Sequence, residues 1–326
     1  MNQAILITGG FGYLGGRIAL AIANETSCQV RLASRKPCTA PPWLPQAQTV
    51  VMDVLDTESL RASLRGVKAV VHLAAVNENE SAVNPEKALR VNTLGTLRLL
   101  QAAIAAGVER FIYFSTAHIY GAPLEGYISE QVVSRPVHPY AITHRAAEDF
   151  VLAAHDERRI RGYVIRLSNG FGAPAYAGVD RWTLLVNDLC RQAVQTRQLV
   201  LRSAGLQQRD FITLHDVGRA VCHLLALSRD AGGDGLFNLG GELSMSVWDM
   251  AQRIANCCRE TLGFDPKIER PVPAPGEEAP SLVYDISKFK QTGFVLEGDI
   301  DIEIKQTLRL CESAWQDDAS KHPLAT

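Results

Sequence analysis

Residues 4–15 read Ala4-Ile5-Leu6-Ile7-Thr8-Gly9-Gly10-Phe11-Gly12-Tyr13-Leu14-Gly15, an uninterrupted apolar run that leads directly into a glycine-rich turn. The run lacks the polar alternation of a half-exposed strand, which predicts a parallel strand buried on both faces. Apolar residues then recur at helical spacing, so the glycines fall where a strand passes into a helix. There the backbone can turn tightly and free N–H groups can meet a phosphate. Three spaced glycines could merely shape a loop, but this context favours a dinucleotide-binding turn.

Composition narrows the class of protein. The chain has 326 residues and a formal net charge of −2, which gives no reason to expect nucleic acid or an acidic membrane as partner. No apolar run reaches the roughly 18 residues of a membrane-spanning helix, and Met1 leads into the first strand without a charged leader. The seven cysteines form no C-x-x-C pair, so neither a disulfide framework nor a metal site is expected. We expect a cytoplasmic protein that acts on a small-molecule substrate.

The order of strands and helices predicts the fold. Strands are expected at 29–33, 49–52, 69–75, 110–116 and 162–167, with helical segments such as 85–106 between them. This alternation is typical of an α/β fold with a Rossmann-type, doubly wound parallel sheet. The carboxyl ends of parallel strands share one edge, so Gly9, Ser34, Ala74 and Thr116 should lie along it.

A segment rich in glycine and proline at 168–174 predicts a domain boundary. Residues 1–167 plus 211–240 are assigned to a dinucleotide-binding domain. Residues 168–210 plus 241–326 are assigned to a smaller C-terminal α/β substrate-binding domain. The larger domain recruits 211–240 because a strand at 236–240 should return to the main sheet.

The end of the second strand bears on the choice of cofactor. Ser34, Arg35 and Lys36 stand about twenty residues beyond the glycines, where an acidic residue would favour NAD and a basic one can accept a 2′-phosphate. No carboxylate is present there, so NADP is expected first and NAD second. The alternative is that Arg35 and Lys36 simply end an exposed loop.

Several motifs together resemble the extended short-chain dehydrogenase/reductases, also called the NAD-dependent epimerase/dehydratase family. In that family a tyrosine moves the proton, a serine or threonine binds the substrate oxygen, and an arginine of the smaller domain often meets the ligand. The resemblance implies these roles for Tyr140, Thr116 and Arg209, and a homodimer formed through helices near 85–106 and 140–154. It rests on residues 8–15, 72–75, 92, 115–121, 140 and 209–212.

The predicted site follows from the turn, the strand ends and this resemblance. The catalytic residues are Tyr140, Thr116 and His144, and the substrate-binding residues are Asn169, Arg209 and Thr116. By contrast, His72 lies within an apolar strand and is interpreted as a core histidine. The predicted cofactor-binding residues are Gly9, Phe11, Gly12, Tyr13, Leu14, Gly15, Ser34, Arg35, Lys36, Asp53, Val54, Leu73, Ala74, Ala75, Asn92, Ser115, Tyr140 and His144.

His144 departs from the family pattern, which has a lysine four residues after the tyrosine. That lysine would favour the phenolate of Tyr140, whereas a histidine with a pKa of about 6.5 is mostly neutral at pH 7. His144 could do a modified version of the lysine's work, shift the pH optimum, or mark a site that binds cofactor without turnover. We favour the first two together.

The expected reaction is hydride transfer at a secondary alcohol or ketone carbon of a nucleotide-sugar-like substrate, by an epimerase or a ketoreductase. Dehydration is disfavoured, since family dehydratases carry acidic residues after the threonine, where this chain has Ala117 and His118. The alternatives are a reductase of a small carbonyl compound and a NADP-binding regulatory protein. The arginine that often grips a diphosphate is missing near 273–277, and Arg209 remains, with three possible substitutes: Arg166, Arg181 and Arg270.

Overall fold

The computed structural model describes residues 3–228 and 230–319. The strands in this part of the chain are β1 Ala4–Thr8, β2 Gln29–Ser34, β3 Gln48–Val51, β4 Val67–His72, β5 Arg110–Thr116, β6 Gly126–Ile128, β7 Arg161–Leu167, β8 Asn169–Phe171, β9 Gln198–Val200, β10 Gln208–Thr213, β11 Leu236–Leu239, β12 Ser244–Ser246, β13 Lys267–Glu269 and β14 Leu282–Tyr284. The α-helices are α1 Tyr13–Glu25, α2 Thr57–Ser63, α3 Glu78–Val83, α4 Pro85–Ala88, α5 Thr96–Ala105, α6 Pro139–Asp156, α7 Leu185–Thr196, α8 Leu214–Ala226, α9 Val247–Leu262, α10 Ser287–Lys290 and α11 Ile300–Ala319.

A seven-stranded sheet forms the centre of the molecule, with the order β3-β2-β1-β4-β5-β7-β11. All its neighbours pair in parallel, which confirms the predicted Rossmann-type class and the return of β11 to this sheet. Every residue of β1 is buried, as expected of an apolar strand covered on both faces. The strand order reverses between β1 and β4, and in open α/β sheets ligands bind at such a switch point.

Smaller sheets lie beyond the main one. β10 pairs in parallel with β8 and antiparallel with β12, and β9 pairs with β13. Residues 211–213, which the sequence analysis groups with the larger domain, therefore belong to β10 of the three-stranded sheet, whereas α8, which follows directly, packs against α1. A separate apolar core unites α7, α9 and α11.

The predicted helix over 85–106 is interrupted. A π-helical segment, Leu89–Gly95, separates α4 from α5. The Thr96 hydroxyl donates to the Asn92 carbonyl at 2.5 Å, so it competes for the oxygen that an α-helix would pair with the Thr96 N–H. Helical periodicity alone carries no sign of this competition.

Side chains of α1 join the two parts of the molecule. The Tyr13 hydroxyl donates to the carbonyl of Gly172 at 3.1 Å. The Arg17 guanidinium lies 2.6 Å from a carboxylate oxygen of Glu303 and donates to the Ala173 carbonyl. The glycine turn is thereby held against the smaller sheet and α11. Within the described residues, no helix is both long and apolar enough to cross a membrane.

Candidate active site

A cleft of about 1110 Å³ runs along the carboxyl ends of the main-sheet strands and reaches β8 and β10. It brings together most of the predicted site. Gly15, Lys36 and Asn92 are not in its lining. The predicted residues that do line it are Gly9, Phe11, Gly12, Tyr13, Leu14, Ser34, Arg35, Asp53, Val54, Leu73, Ala74, Ala75, Ser115, Thr116, Tyr140, His144, Asn169 and Arg209.

The glycine turn fits a dinucleotide phosphate. Gly9 has φ +67°, and a Cβ there would lie 3.2 Å from backbone atoms of Leu73 and Ala74. Gly12 precedes α1, whose first turn has no capping side chain and no acidic residue. The first N–H groups of α1 are therefore free for an anion in the cleft.

Gly15 allows α1 to pack closely against the glycine turn. A Cβ on it would approach the carbonyl oxygen of Gly9 to 2.2 Å. Gly15 is not in the cleft lining, and its missing side chain lets α1 pack onto the turn.

Lys36 and Asn92 also lie outside the cleft lining. The Lys36 N–H donates to the Ser34 hydroxyl at 3.2 Å, while Arg35 is the basic residue of this strand end that lines the cleft. Asn92 is buried, and its Oδ1 accepts from the N–H of cleft-lining Val76 at 2.7 Å. Its Nδ2 donates to the Thr143 hydroxyl at 3.0 Å, so Asn92 links the loop after β4 to α6.

His72 fixes the turn and that loop together. Its Nδ1 lies 2.6 Å from the Thr8 hydroxyl, which also accepts the N–H groups of Leu73 and Ala74 at 3.0 and 3.1 Å. Because Thr8 accepts twice, its own hydrogen goes to His72 Nδ1, and Nε2 then donates to the Thr96 hydroxyl at 2.9 Å. Burial lowers the pKa of His72 to about 3, so the ring stays neutral at pH 7. His72 is a hydrogen-bonded core residue.

Thr116 and Tyr140 lie in the same cleft. Thr116 ends β5, and its hydroxyl oxygen accepts from the His118 N–H at 3.2 Å, which leaves the hydroxyl hydrogen available for a ligand oxygen. Tyr140 lies in the first turn of α6, and His138 caps that helix by accepting the Tyr140 N–H at 3.2 Å.

The His144 ring lies against the Tyr140 ring, with the centroids 4.1 Å apart and the ring planes inclined at 41°. Its Nδ1 lies 2.9 Å from the Tyr140 carbonyl oxygen, and since a carbonyl only accepts, Nδ1 carries the hydrogen. Burial lowers the pKa of His144 to about 4. The imidazole is therefore neutral at pH 7, with Nε2 able only to accept a hydrogen bond.

The side chain that lies against the Tyr140 ring, His144, therefore carries no positive charge at pH 7. Burial raises its pKa above the ordinary value, and the nearby carboxylate of Glu78 raises it further, while Arg181 acts in the opposite direction. The phenol is protonated at neutral pH. It is ready to give a proton, whereas taking one requires its prior ionisation.

The cleft contains two of the four arginines considered for substrate binding. Arg209 is half-buried and makes no hydrogen bond or ion pair with other described residues. Arg181 lies 3.1 Å from Glu78 across the cleft. Arg166 is buried against Glu148 at 2.7 Å, Arg270 lies 3.6 Å above the Trp248 ring, and neither residue lines the cleft. Sequence reasoning missed Glu78, since an acidic residue in the first turn of a short helix carries no sign of a ligand site.

Residues 5–240 match the family described as the NAD dependent epimerase/dehydratase family. The match covers well over half of the chain. The protein therefore belongs to this family, which confirms the resemblance seen in its motifs and identifies an enzyme family whose description names NAD.

Two relatives are 30% and 26% identical to the chain over the aligned residues. UDP-glucose 4-epimerase of Streptomyces lividans is 30% identical over 284 residues, which cover 78% of this chain and 80% of that protein. The dTDP-D-glucose 4,6-dehydratase of Mus musculus is 26% identical over 272 residues, 79% of this chain and 74% of that protein. Among solved structures, MoeE5 in complex with UDP-glucose and NAD has a TM-score of 0.76 and 25% identity, covering 95% and 99% of the two chains. Epimerases and dehydratases both appear among the relatives.

Proposed function

We propose that the protein is a nicotinamide-dependent epimerase or ketoreductase that acts at a secondary alcohol or ketone carbon of a nucleotide-sugar-like substrate. The observation that carries this proposal is the convergence of Thr116 and Tyr140 in one cleft with an uncapped glycine turn. The similarity to UDP-glucose 4-epimerase and to a structure holding UDP-glucose and NAD supports this substrate class.

We assign separate roles in cofactor binding and in proton transfer to the residues of the cleft. The turn at Gly9 and Gly12 would hold the pyrophosphate, and His144 Nε2 would accept a ribose hydroxyl. The bound nicotinamide would accept or supply hydride. Thr116 would donate to the substrate oxygen, and the Tyr140 phenol would give that oxygen its proton during reduction and recover it during oxidation.

Product analysis tests the reaction. UDP-glucose and dTDP-glucose, each with NAD or NADP, should yield an epimer of unchanged mass, while a ketoreductase would add two hydrogens to a keto sugar. Tyr140→Phe and Thr116→Ala should each lower turnover by at least about 100-fold. If both variants keep full turnover of a substrate accepted by the wild type, the catalytic assignment is wrong.

We expect dehydration to be disfavoured, because Ala117 and His118 follow Thr116 where family dehydratases carry acidic residues. A product lighter by one water molecule would contradict this expectation. Rapid turnover of simple ketones, with none of nucleotide sugars, would favour the small-carbonyl reductase. Cofactor binding without any oxidation of NADPH across a broad ketone panel would favour the regulatory protein.

The proposed cofactor preference is NADP over NAD. Arg35 lines the cleft at the end of β2 and makes no hydrogen bond or ion pair with other described residues. Arg35→Ala should weaken NADPH binding by about tenfold and leave NADH binding nearly unchanged, since only NADPH carries the 2′-phosphate. Lys36→Ala is the matched control, because Lys36 is not in the cleft lining. Equal NADPH and NADH affinities in the wild type would overturn the preference.

The proposed assembly is a homodimer through the helices around 85–105 and 139–156. Apolar side chains on these elements remain exposed, namely Leu89 at 53%, Leu94 at 37%, Ile142 at 48% and Phe150 at 41%. Burying them against a second copy would stabilise the pair. Light scattering should give twice the chain mass for the wild type and a monomer for Ile142→Glu; a monomeric wild type would overturn the proposal.

A further inference from the structure

An ion pair crosses the cleft close to Tyr140. Glu78 begins α3, after the main-sheet strand β4, and Arg181 lies in the segment before α7, on the side of the smaller sheet. The Arg181 Nη1 is 3.1 Å from Glu78 Oε2, and the two side chains remain 30% and 40% exposed. Both residues line the cleft, so a ligand can reach the pair.

An anionic substrate in this cleft calls for a second arginine beside Arg209. A diphosphate carries negative charge that arginine binds well, often through two hydrogen bonds. On the side of the smaller sheets the cleft offers Arg209, and the stretch at 273–277 supplies no arginine. Arg166 and Arg270 are held elsewhere by Glu148 and Trp248.

We propose that Arg181 is the second diphosphate-binding arginine of this cleft, and that Glu78 holds its guanidinium until a substrate phosphate displaces the carboxylate. This inference rests on the proposed function, because it assigns a residue to the nucleotide-sugar diphosphate. Glu78 then competes with the substrate phosphates for Arg181, so it weakens the binding of ligands that carry a diphosphate and leaves ligands without phosphate unaffected.

The charges around Glu78 support an exchange of partners. Burial alone would raise the pKa of Glu78, but the Arg181 guanidinium holds it below its ordinary value, so the carboxylate is charged at neutral pH. The same carboxylate acts on the rings of Tyr140, His144 and His118. When Arg181 turns to a phosphate, Glu78 remains charged beside the phenol and opposes ionisation of Tyr140.

Calorimetric titration of UDP into the full-length protein with saturating NAD tests the proposal. Arg181→Ala should weaken UDP binding by about tenfold or more, as expected for loss of a charge-assisted contact. Glu78→Gln should strengthen UDP binding by about three- to tenfold, because it frees Arg181 from a partly exposed ion pair. Glu58→Gln is the matched control, since Glu58 pairs with Arg61 on α2, outside the cleft lining, and should leave UDP affinity unchanged.

Opposite changes of UDP affinity in Arg181→Ala and Glu78→Gln distinguish a role in phosphate binding from a structural role of the ion pair. If the pair only fastened the two sides of the cleft, Arg181→Ala and Glu78→Gln would change UDP affinity in the same direction, and the proposal would be overturned. Uridine, which lacks phosphate, should bind both variants like the wild type, and Arg181→Lys should recover part of the UDP affinity. If UDP does not bind the wild type, both the proposed substrate class and this inference are overturned. If Arg209→Ala loses UDP binding and Arg181→Ala keeps it, only the inference about Arg181 is overturned.

Discussion

Replacing His144 with lysine should lower the pKa of the Tyr140 phenol. In the wild type the centroid of the neutral His144 ring lies 4.1 Å from that of Tyr140, and burial keeps the phenol protonated. A lysine at residue 144 would bring a positive charge to the same face of α6.

The expected change in the pKa of Tyr140 follows from the distance between the lysine ammonium and the phenol oxygen. A lysine ammonium roughly 5 Å from the phenol oxygen, at an effective dielectric constant of about 20, interacts with the phenolate by about 3 kcal/mol. That energy corresponds to a pKa lower by about 2 units. The acid limb of alcohol oxidation should therefore move down by about 2 pH units in His144→Lys, while ketone reduction should decline at a lower pH than in the wild type.

The assay is an ultraviolet titration of tyrosinate, which needs no identified substrate. Subtracting the same variant with Tyr140→Phe isolates the signal of one tyrosine. His144→Gln is the control, because it keeps a neutral polar group and should leave the titration of Tyr140 unchanged. If Tyr140 ionises at the same pH in His144→Lys and in the wild type, the electrostatic reasoning is refuted.

Three further perturbations test the packing around the site. Unfolded histidine binds a proton near pH 6.5, whereas folded His72 and His144 do so near 3 and 4. The unfolded chain thus binds more protons in this interval, and urea unfolding should show stability falling between pH 7 and pH 5 by about 2 kcal/mol for each histidine; constant stability would contradict this. Gly15→Ala forces a Cβ against the Gly9 carbonyl and should destabilise the protein by about 1–3 kcal/mol and weaken NADH fluorescence titrations, while normal affinity would argue against a tight turn. Glu148→Gln leaves Arg166 buried without its carboxylate, so chemical denaturation should show a loss of about 3–5 kcal/mol, and a loss below 1 kcal/mol would show that the pair is dispensable.

Local patterns were sufficient for the main sheet and for the centre of the site. Apolar runs followed by glycine predict buried parallel strands, and parallel strands bring their carboxyl ends to one edge. That reasoning places Gly9 and Thr116 in one cleft before any coordinates are known. The four-residue offset between Tyr140 and His144 likewise predicts one helix face, as the 4.1 Å distance between their ring centroids confirms.

Partners distant in sequence could not be predicted in this way. From the sequence, Arg166 and Arg270 were as good candidates for substrate binding as Arg181. No local pattern around them indicates that Glu148 and Trp248 are their neighbours in the fold. The Glu78–Arg181 pair joins residues 103 positions apart. Spacing rules report on a single helix or strand, whereas the charge available to a ligand depends on which side chains the tertiary fold has already paired.

One chain of hydrogen bonds links the glycine turn at residues 9–12 to α6. Thr8 of β1 binds His72, His72 binds Thr96, Thr96 binds the carbonyl of Asn92, and Asn92 binds Thr143, the residue before His144. Each hydroxyl and ring nitrogen in this chain is buried, so a break anywhere leaves a polar group unsatisfied. Protonation of His72 would remove the acceptor of the Thr8 hydroxyl and so disturb both ends of the chain at once. The proposed binding of the nicotinamide cofactor and the proposed acid–base role of Tyr140 should therefore be lost together as the pH falls, even though the two groups of residues lie on different elements.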